Sequence, residues 1–108
     1  MGEQTVRSEH WEVMPDGVEV SVAVLSRGGH RAPVMFLHGF GSTKEDYADV
    51  ALQPAFGGRG FLAHDAPGSG DTRCTDLSAV SIPFLVRTAE SVLQRAGIEK
   101  FHLVGHSM

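Results

Sequence analysis

A chain of 108 residues makes one domain at most; with 42% hydrophobic and 20% charged residues it has enough apolar matter for a modest core and no compositional mark of disorder. The formal net charge of −4 leaves no basic footprint for nucleic acid or an anionic membrane, and no apolar run approaches the roughly 20 residues that span a bilayer. Cys74 is the single cysteine, which excludes an internal disulfide, and the opening residues lack the basic-then-apolar order of a signal peptide, so a reducing, cytoplasmic setting is expected.

Residues 9–25 have a period of two. Trp11 and Val13 precede a Pro15-Asp16-Gly17 turn, and Val18, Val20, Val22 and Val24 then alternate with Glu19, Ser21 and Ala23. The pattern predicts a β-hairpin at a sheet edge, one face buried and the other wet. Residues 26–33 read as a polar loop. Val34-Met35-Phe36-Leu37 is an unbroken apolar run, the mark of a central parallel strand, and it passes straight into His38-Gly39-Phe40-Gly41-Ser42, a tight glycine loop. Ser42 and Glu45 stand at capping-box spacing and predict a helix beginning near Thr43, with Tyr47, Val50 and Ala51 on one face and Pro54 and Gly57-Gly58 ending it.

Phe61-Leu62-Ala63 is a third apolar run, followed by His64-Asp65 and the turn Ala66-Pro67-Gly68-Ser69-Gly70-Asp71-Thr72. Ser81 is a suitable N-cap with Pro83 in the first turn. Leu85, Ala89, Val92, Leu93 and Ala96 then form a helical stripe, and Gly97 fits the C′ position. The last eight residues, Phe101-His102-Leu103-Val104-Gly105-His106-Ser107-Met108, run from strand into Gly-x-Ser. A serine held in a sharp strand-to-helix turn needs tiny neighbours two residues away, and Gly105 meets that need on one side. The order hairpin, strand, helix, strand, helix, strand implies a parallel sheet with helices on its faces, in which Phe36, Ala63 and Val104 lie on neighbouring parallel strands.

Three stretches taken together, His38-Gly39-Phe40-Gly41, the turn from Asp65 to Thr72, and Gly105-His106-Ser107, resemble the α/β-hydrolase family in order and spacing. The resemblance implies the N-terminal part of an α/β-hydrolase sheet, residues 1–108 of a single domain, a β-hairpin and then βαβαβ with parallel strands, truncated at the nucleophile elbow. It implies Ser107 as the nucleophile of a Ser-His-acid triad and the backbone N–H groups of Phe40 and Met108 as the oxyanion hole. The second elbow glycine, the acid and the histidine would lie past Met108, so the 108 residues alone are expected to be inactive. The implied reaction is hydrolysis of a carboxylic ester or related acyl bond in a small molecule, through an acyl-enzyme on Ser107, with no cofactor and no metal. Peracid formation and carbon–carbon bond hydrolysis are alternatives on the same scaffold. From a different class comes a non-catalytic binding protein or fragment whose strand edge pairs with another chain.

The remaining polar residues have plainer readings. His106, the neighbour of Ser107 in an elbow, is expected to point elsewhere in the turn and to pack and hydrogen-bond locally instead of acting as its base. His38, His64, Asp65 and Asp71 are expected to make loop hydrogen bonds, His102 to pack, and His10 and His30 to lie on the surface. Gly39-x-Gly41 lacks the third glycine of a dinucleotide fingerprint, since Lys44 stands in its place. Arg87, Glu90, Arg95 and Glu99 mark a wet helix face.

Overall fold

The computed structural model describes residues 6–38, 43–47, 49 and 53–105. The alternating valines form the hairpin: β1 (Arg7–Val13) and β2 (Val20–Arg27) pair antiparallel, from Arg7 opposite Ser26 to Val13 opposite Val20. Between them Pro15–Gly17 makes one 3-10 turn in which Asp16 (φ 52°) and Gly17 (φ 79°) both take the left-handed conformation that Asp-Gly tolerates best.

The remaining strands are β3 (Arg31–Leu37), β4 (Arg59–His64), β5 (Arg73–Cys74) and β6 (His102–Gly105), and the α-helix α1 (Ile82–Ala96) lies between β5 and β6. The sheet runs β1, β2, β4, β3, β6, with β5 beside the start of β2. β3 is parallel to both β4 and β6, so Phe36 is the register partner of Ala63 on one side and of Val104 on the other, as expected. This is the mixed, mostly parallel α/β sheet that the element order implied.

Only β1 is an edge strand of the hairpin. β4 pairs antiparallel with β2, Val24 opposite His64, and this corrects the expectation of a half-wet β2. Val20, Val22 and Val24 are at most 1% exposed on one face, while Ala23 and Leu25 are buried on the other. The predicted loop is also shorter, since β2 and β3 extend into it and leave residues 28–30. Arg27 donates from Nε and Nη2 to Arg59 O at 3.2 and 2.9 Å, and the β3–β4 register shifts between Arg31 and Val34, around Pro33, which has no N–H to give the ladder.

Two clusters sandwich the sheet. Beneath α1, Val20, Val22, Val24 and Leu62 pack with Phe84 and Val92; on the opposite face Leu25, Val34, Phe36, Phe61 and Ala63 pack with Tyr47 and Phe56. Tyr47 stacks on Phe36 with ring centroids 4.7 Å apart, and its hydroxyl donates to Leu37 O at 2.8 Å. The segment predicted as a helix from Thr43 opens with a 3-10 turn, Lys44–Tyr47, and is α-helical at Asp49, and a second 3-10 turn, Pro54–Phe56, stands at its expected end; Ser42, Val50 and Ala51 lie outside the described residues.

α1 has its expected caps. Ser81 Oγ accepts from Phe84 N at 3.3 Å, Pro83 is in the first turn, and Gly97 closes the helix at φ 72°. Its buried residues are Phe84, Thr88 and Val92: Val92 belongs to the expected stripe, whose Leu93 and Ala96 pack against the same core, while Phe84 and Thr88 sit one position before the half-buried Leu85 and Ala89. Thr88 can be buried because its hydroxyl donates to Phe84 O at 2.9 Å inside the helix. β6 also departs from expectation: all four residues are exposed, Leu103 59% and Val104 38%, and His102 faces solvent instead of packing.

Candidate active site

Register places the ends of three strands side by side. Leu37 is the partner of both His64 and Gly105, so β3, β4 and β6 end at one level and the three motif segments leave the sheet from one carboxyl edge. That edge is where open α/β sheets place their ligands. Ser107, Phe40 and Met108 themselves lie outside the described residues, as does His106.

What the structure does describe at this edge is a buried polar cluster. Asp65 follows β4 and is 0% exposed; its N–H donates to Ala23 O at 3.0 Å, which ties it to β2. Its Oδ1 accepts from Lys44 N at 2.8 Å, and its Oδ2 accepts from Lys44 Nζ at 2.8 Å and Asp71 N at 2.9 Å. Thr72 donates to Asp65 O at 2.6 Å and accepts from Ala23 N at 2.9 Å. Gly70 closes this turn at φ 51°, and a Cβ there would collide with the Asp65 carboxylate, so two independent constraints require glycine.

Lys44 is 2% exposed and its ammonium meets three carboxylates: Asp65 at 2.8 Å, Glu45 at 2.9 Å and Asp71 at 3.4 Å. Burial by itself would lower its pKa, but hydrogen bonds to Asp65 and Glu45 outweigh burial and hold it above the ordinary lysine value. Burial likewise works against the Asp65 carboxylate, yet the donors from Lys44 and Asp71 prevail and keep it below its ordinary value. Lys44, chiefly by its hydrogen bond, lowers Glu45 in the same way. The pair is therefore ionised and fully engaged. It has no proton to exchange near neutral pH, which excludes Asp65 as a general acid and matches the expectation of loop hydrogen bonding.

The two histidines of the edge differ. His38 is 8% exposed and its Nε2 accepts from Ala66 N at 3.0 Å, the expected loop bond. His64 is 4% exposed and its Nδ1 has no hydrogen-bond partner among the described residues, against the expectation for it. Burial is the main reason that its pKa falls to about 4, with the His38 imidazole adding and Asp65 opposing. It is neutral at physiological pH. His10 and His30 are exposed, as expected.

Sequence reasoning missed Lys44 as a site residue. A lysine in a first helical turn is ordinarily wet, and only the folding of the Asp65 turn against it adds Asp65 and Asp71 to its chain neighbour Glu45 as partners.

Comparison with known proteins adds the following. The family model described as "Alpha/beta hydrolase family" matches residues 34–108. The chain is 29% identical over 107 residues to a dihydrolipoyllysine-residue acetyltransferase component of the acetoin cleaving system from Cupriavidus necator, covering 99% of the chain and 28% of that protein. It is 28% identical over 108 residues to a 2-hydroxy-6-oxononadienedioate/2-hydroxy-6-oxononatrienedioate hydrolase from Paraburkholderia phymatum, covering 97% of the chain and 38% of that protein. Among solved structures, an epoxide hydrolase from Vigna radiata superposes with a TM-score of 0.68 at 29% identity, over 93% of this chain and 32% of the other. A structure of a protein named as a lipase from Acinetobacter baumannii reaches a TM-score of 0.80 at 21% identity, over 94% of this chain and 33% of the other, and bears on the fold alone. The chain thus spans about a third of the length of the proteins it matches.

Proposed function

The chain belongs to the α/β-hydrolase family, and from that premise we propose that it carries the nucleophile Ser107 and the oxyanion-hole N–H groups of Phe40 and Met108 of a serine hydrolase acting on a carboxylic ester or related acyl bond. The observation that carries the proposal is the common register level of Leu37, His64 and Gly105, from which the Gly-x-Ser and His-Gly-Phe-Gly segments leave the same sheet edge. A base supplied from outside the 108 residues takes the Ser107 proton as Oγ attacks the acyl carbon. The tetrahedral intermediate puts negative charge on the former carbonyl oxygen, where each aligned N–H contributes on the order of 3 kcal/mol. Collapse expels the alcohol, which takes the proton, and leaves an acyl ester on Ser107. Water then cleaves that ester, releasing the carboxylic acid and restoring the serine.

Serine chemistry separates this reading from epoxide opening, despite the likeness to an epoxide hydrolase. A serine oxygen attacking an epoxide leaves an ether, which the same machinery has no means to hydrolyse, whereas an acyl ester is readily cleaved. A second reading, hydrolysis of a carbon–carbon bond beside a ketone, is favoured by the likeness to the 2-hydroxy-6-oxononadienedioate hydrolase, whose named substrate is an oxo diacid with no ester.

The test uses the full-length protein. A fluorophosphonate, which reacts with a serine activated by a base and an oxyanion hole, is expected to label Ser107, and Ser107→Ala to abolish both labelling and turnover of a p-nitrophenyl ester. Equal labelling of both proteins moves the nucleophile elsewhere. Labelling at Ser107 with turnover of a vinylogous diketone and not of esters selects the second reading.

A further inference from the structure

The net charge of −4 is unevenly distributed over the molecule. β1, β2, β4, β3 and β6 lie side by side, and each brings a basic residue to the sheet edge opposite the candidate active site. Arg7 opens β1, Arg27 closes the antiparallel β2, Arg59 and Arg31 open β4 and β3, and Lys100 stands two residues before β6. These are five of the nine lysines and arginines of the chain. Residues 20–44 and 50–64, which hold β2, β3 and β4, contain no Asp or Glu. Glu12, Asp16 and Glu19 lie about 20 Å away, at the far end of β2, and the outer flanks of the row carry Glu9 on β1 and Glu99 beside Lys100. Among the described residues none of the five cations is paired with a carboxylate. Arg31 and Arg59 are register partners on neighbouring strands, where like charges repel. Each is held instead by a backbone carbonyl: Arg31 Nη1 donates to Gly57 O at 3.3 Å and Arg59 Nη1 to Ala32 O at 2.8 Å. Carbonyls fix the direction of a guanidinium without neutralising it, and most N–H donors of these two arginines are left over for an anion.

We propose that this edge of the sheet is a docking surface for a short acidic segment of a partner protein, whose carboxylates pair with the row from Arg7 to Lys100. Strands about 4.8 Å apart make the row about 19 Å long, the length of about six residues of extended chain. A segment of that size meets the cations and little else. A bilayer or a long nucleic acid extends past the row by more than the screening length of about 8 Å and meets the carboxylates of a chain that is acidic overall. Nucleic acid is further disfavoured because none of the described aromatic rings is exposed for a base to stack on; Phe61 is buried, with the Arg27 guanidinium 5.1 Å from its ring centroid. The surface lies at the opposite ends of the strands from the Gly-x-Ser segment, and the proposal stands apart from the reading of Ser107.

The test measures binding of fluorescein-labelled hexaglutamate to the full-length protein by fluorescence anisotropy. Binding is expected at low ionic strength and should weaken several-fold as salt rises from about 0.05 to about 0.3 M. Arg31→Gln and Arg59→Gln should each weaken it about three- to tenfold, and the double variant further. Arg87→Gln, which removes an exposed cation already paired with Asp16, should leave it unchanged. Arg7 and Lys100 make no hydrogen bond among the described residues, so Arg7→Gln and Lys100→Gln are the variants to read if the others do not fold, with a loss of about twofold each. No binding to the wild type overturns the proposal. So does peptide binding that none of the edge variants changes, or that Arg87→Gln weakens equally, since the arginines then serve only to hold the Gly57 and Ala32 carbonyls. Tighter binding of phosphatidylserine vesicles or of a single-stranded oligothymidylate, with the same dependence on Arg31 and Arg59, overturns the choice of an acidic protein segment.

Discussion

Lys44 keeps its charge at 2% exposure because it has exchanged water for three carboxylate contacts. Pairs of this kind contribute little compared with an apolar replacement, but removing one partner strands the other, at a cost of about 3–5 kcal/mol. Asp65→Ala and Lys44→Ala should each lose about that much by denaturant unfolding, with the double variant Lys44→Met/Asp65→Leu losing less than their sum; additive losses would refute the coupling. The same edge sets the acid response. His64, lowered to about 4 from an ordinary 6.5, is neutral in both folded and unfolded states above pH 6.5. Between pH 6.5 and about 4 only the unfolded state takes the proton, so stability falls with falling pH through that window, by about 3 kcal/mol at about 1.4 kcal/mol per pH unit. Asp65, lowered in the fold, stabilises above the ordinary 3.8 and loses that contribution as the pH falls through its depressed value, a later step in the same direction. Lys44, raised, stabilises fully below 10.5 and loses its contribution as the pH rises through its higher folded value. Urea melts from pH 7.5 to 4 should show the first step in the wild type and not in His64→Leu; a step that survives the substitution belongs to another group.

Among elements, α1 tests how far periodicity can be trusted. The expected stripe holds at Val92, which is buried, and at Leu93 and Ala96, which pack against the same core, while at the start of the helix Phe84 and Thr88 are buried and Leu85 and Ala89 only half-buried; Thr88 turns inward with 0% exposure because its hydroxyl is satisfied by Phe84 O. Phe84, 1% exposed between the helix and the valines of β2, should cost about 3–5 kcal/mol on truncation to alanine, and half-buried Leu85 clearly less. Equal losses on thermal unfolding would contradict the observed face. The caps, by contrast, were read correctly at both ends, since Ser81 and Gly97 act on backbone groups within three or four residues of themselves. The Asp16–Arg87 contact, with Arg87 Nε 2.6 Å from Asp16 Oδ1, joins the hairpin turn to α1 but is about half exposed, so little stability is expected from it.

At the scale of the molecule, β6 is the element out of balance. It pairs with β3 on one side, and Leu103 and Val104 are exposed at 59% and 38% in a strand whose apolar run reads as central. An apolar parallel edge is a template for unwanted pairing. The 108 residues expressed alone should therefore be inactive on esters and aggregate or melt without a sharp transition. A monodisperse monomer with a cooperative melt by size exclusion and calorimetry, or ester turnover abolished by Ser107→Ala, would refute this.

The sequence by itself determined whatever depends on neighbours within a turn or a strand: the hairpin and its Asp16-Gly17 turn, the apolar runs of β3 and β4, the caps of α1, and the Gly-x-Ser after β6 that carries the family likeness. Of the candidate site it determined the motifs and the strands they follow. Tertiary structure alone decided that β4 enters between β2 and β3, which buries both faces of β2, because strand order depends on crossovers that no local pattern encodes. It alone paired β5 with β2, turned Thr88 inward and brought Lys44 against Asp65, 21 residues away in the chain. Burial of a charge is a property of what surrounds it after folding, and a single stretch of sequence does not contain its surroundings.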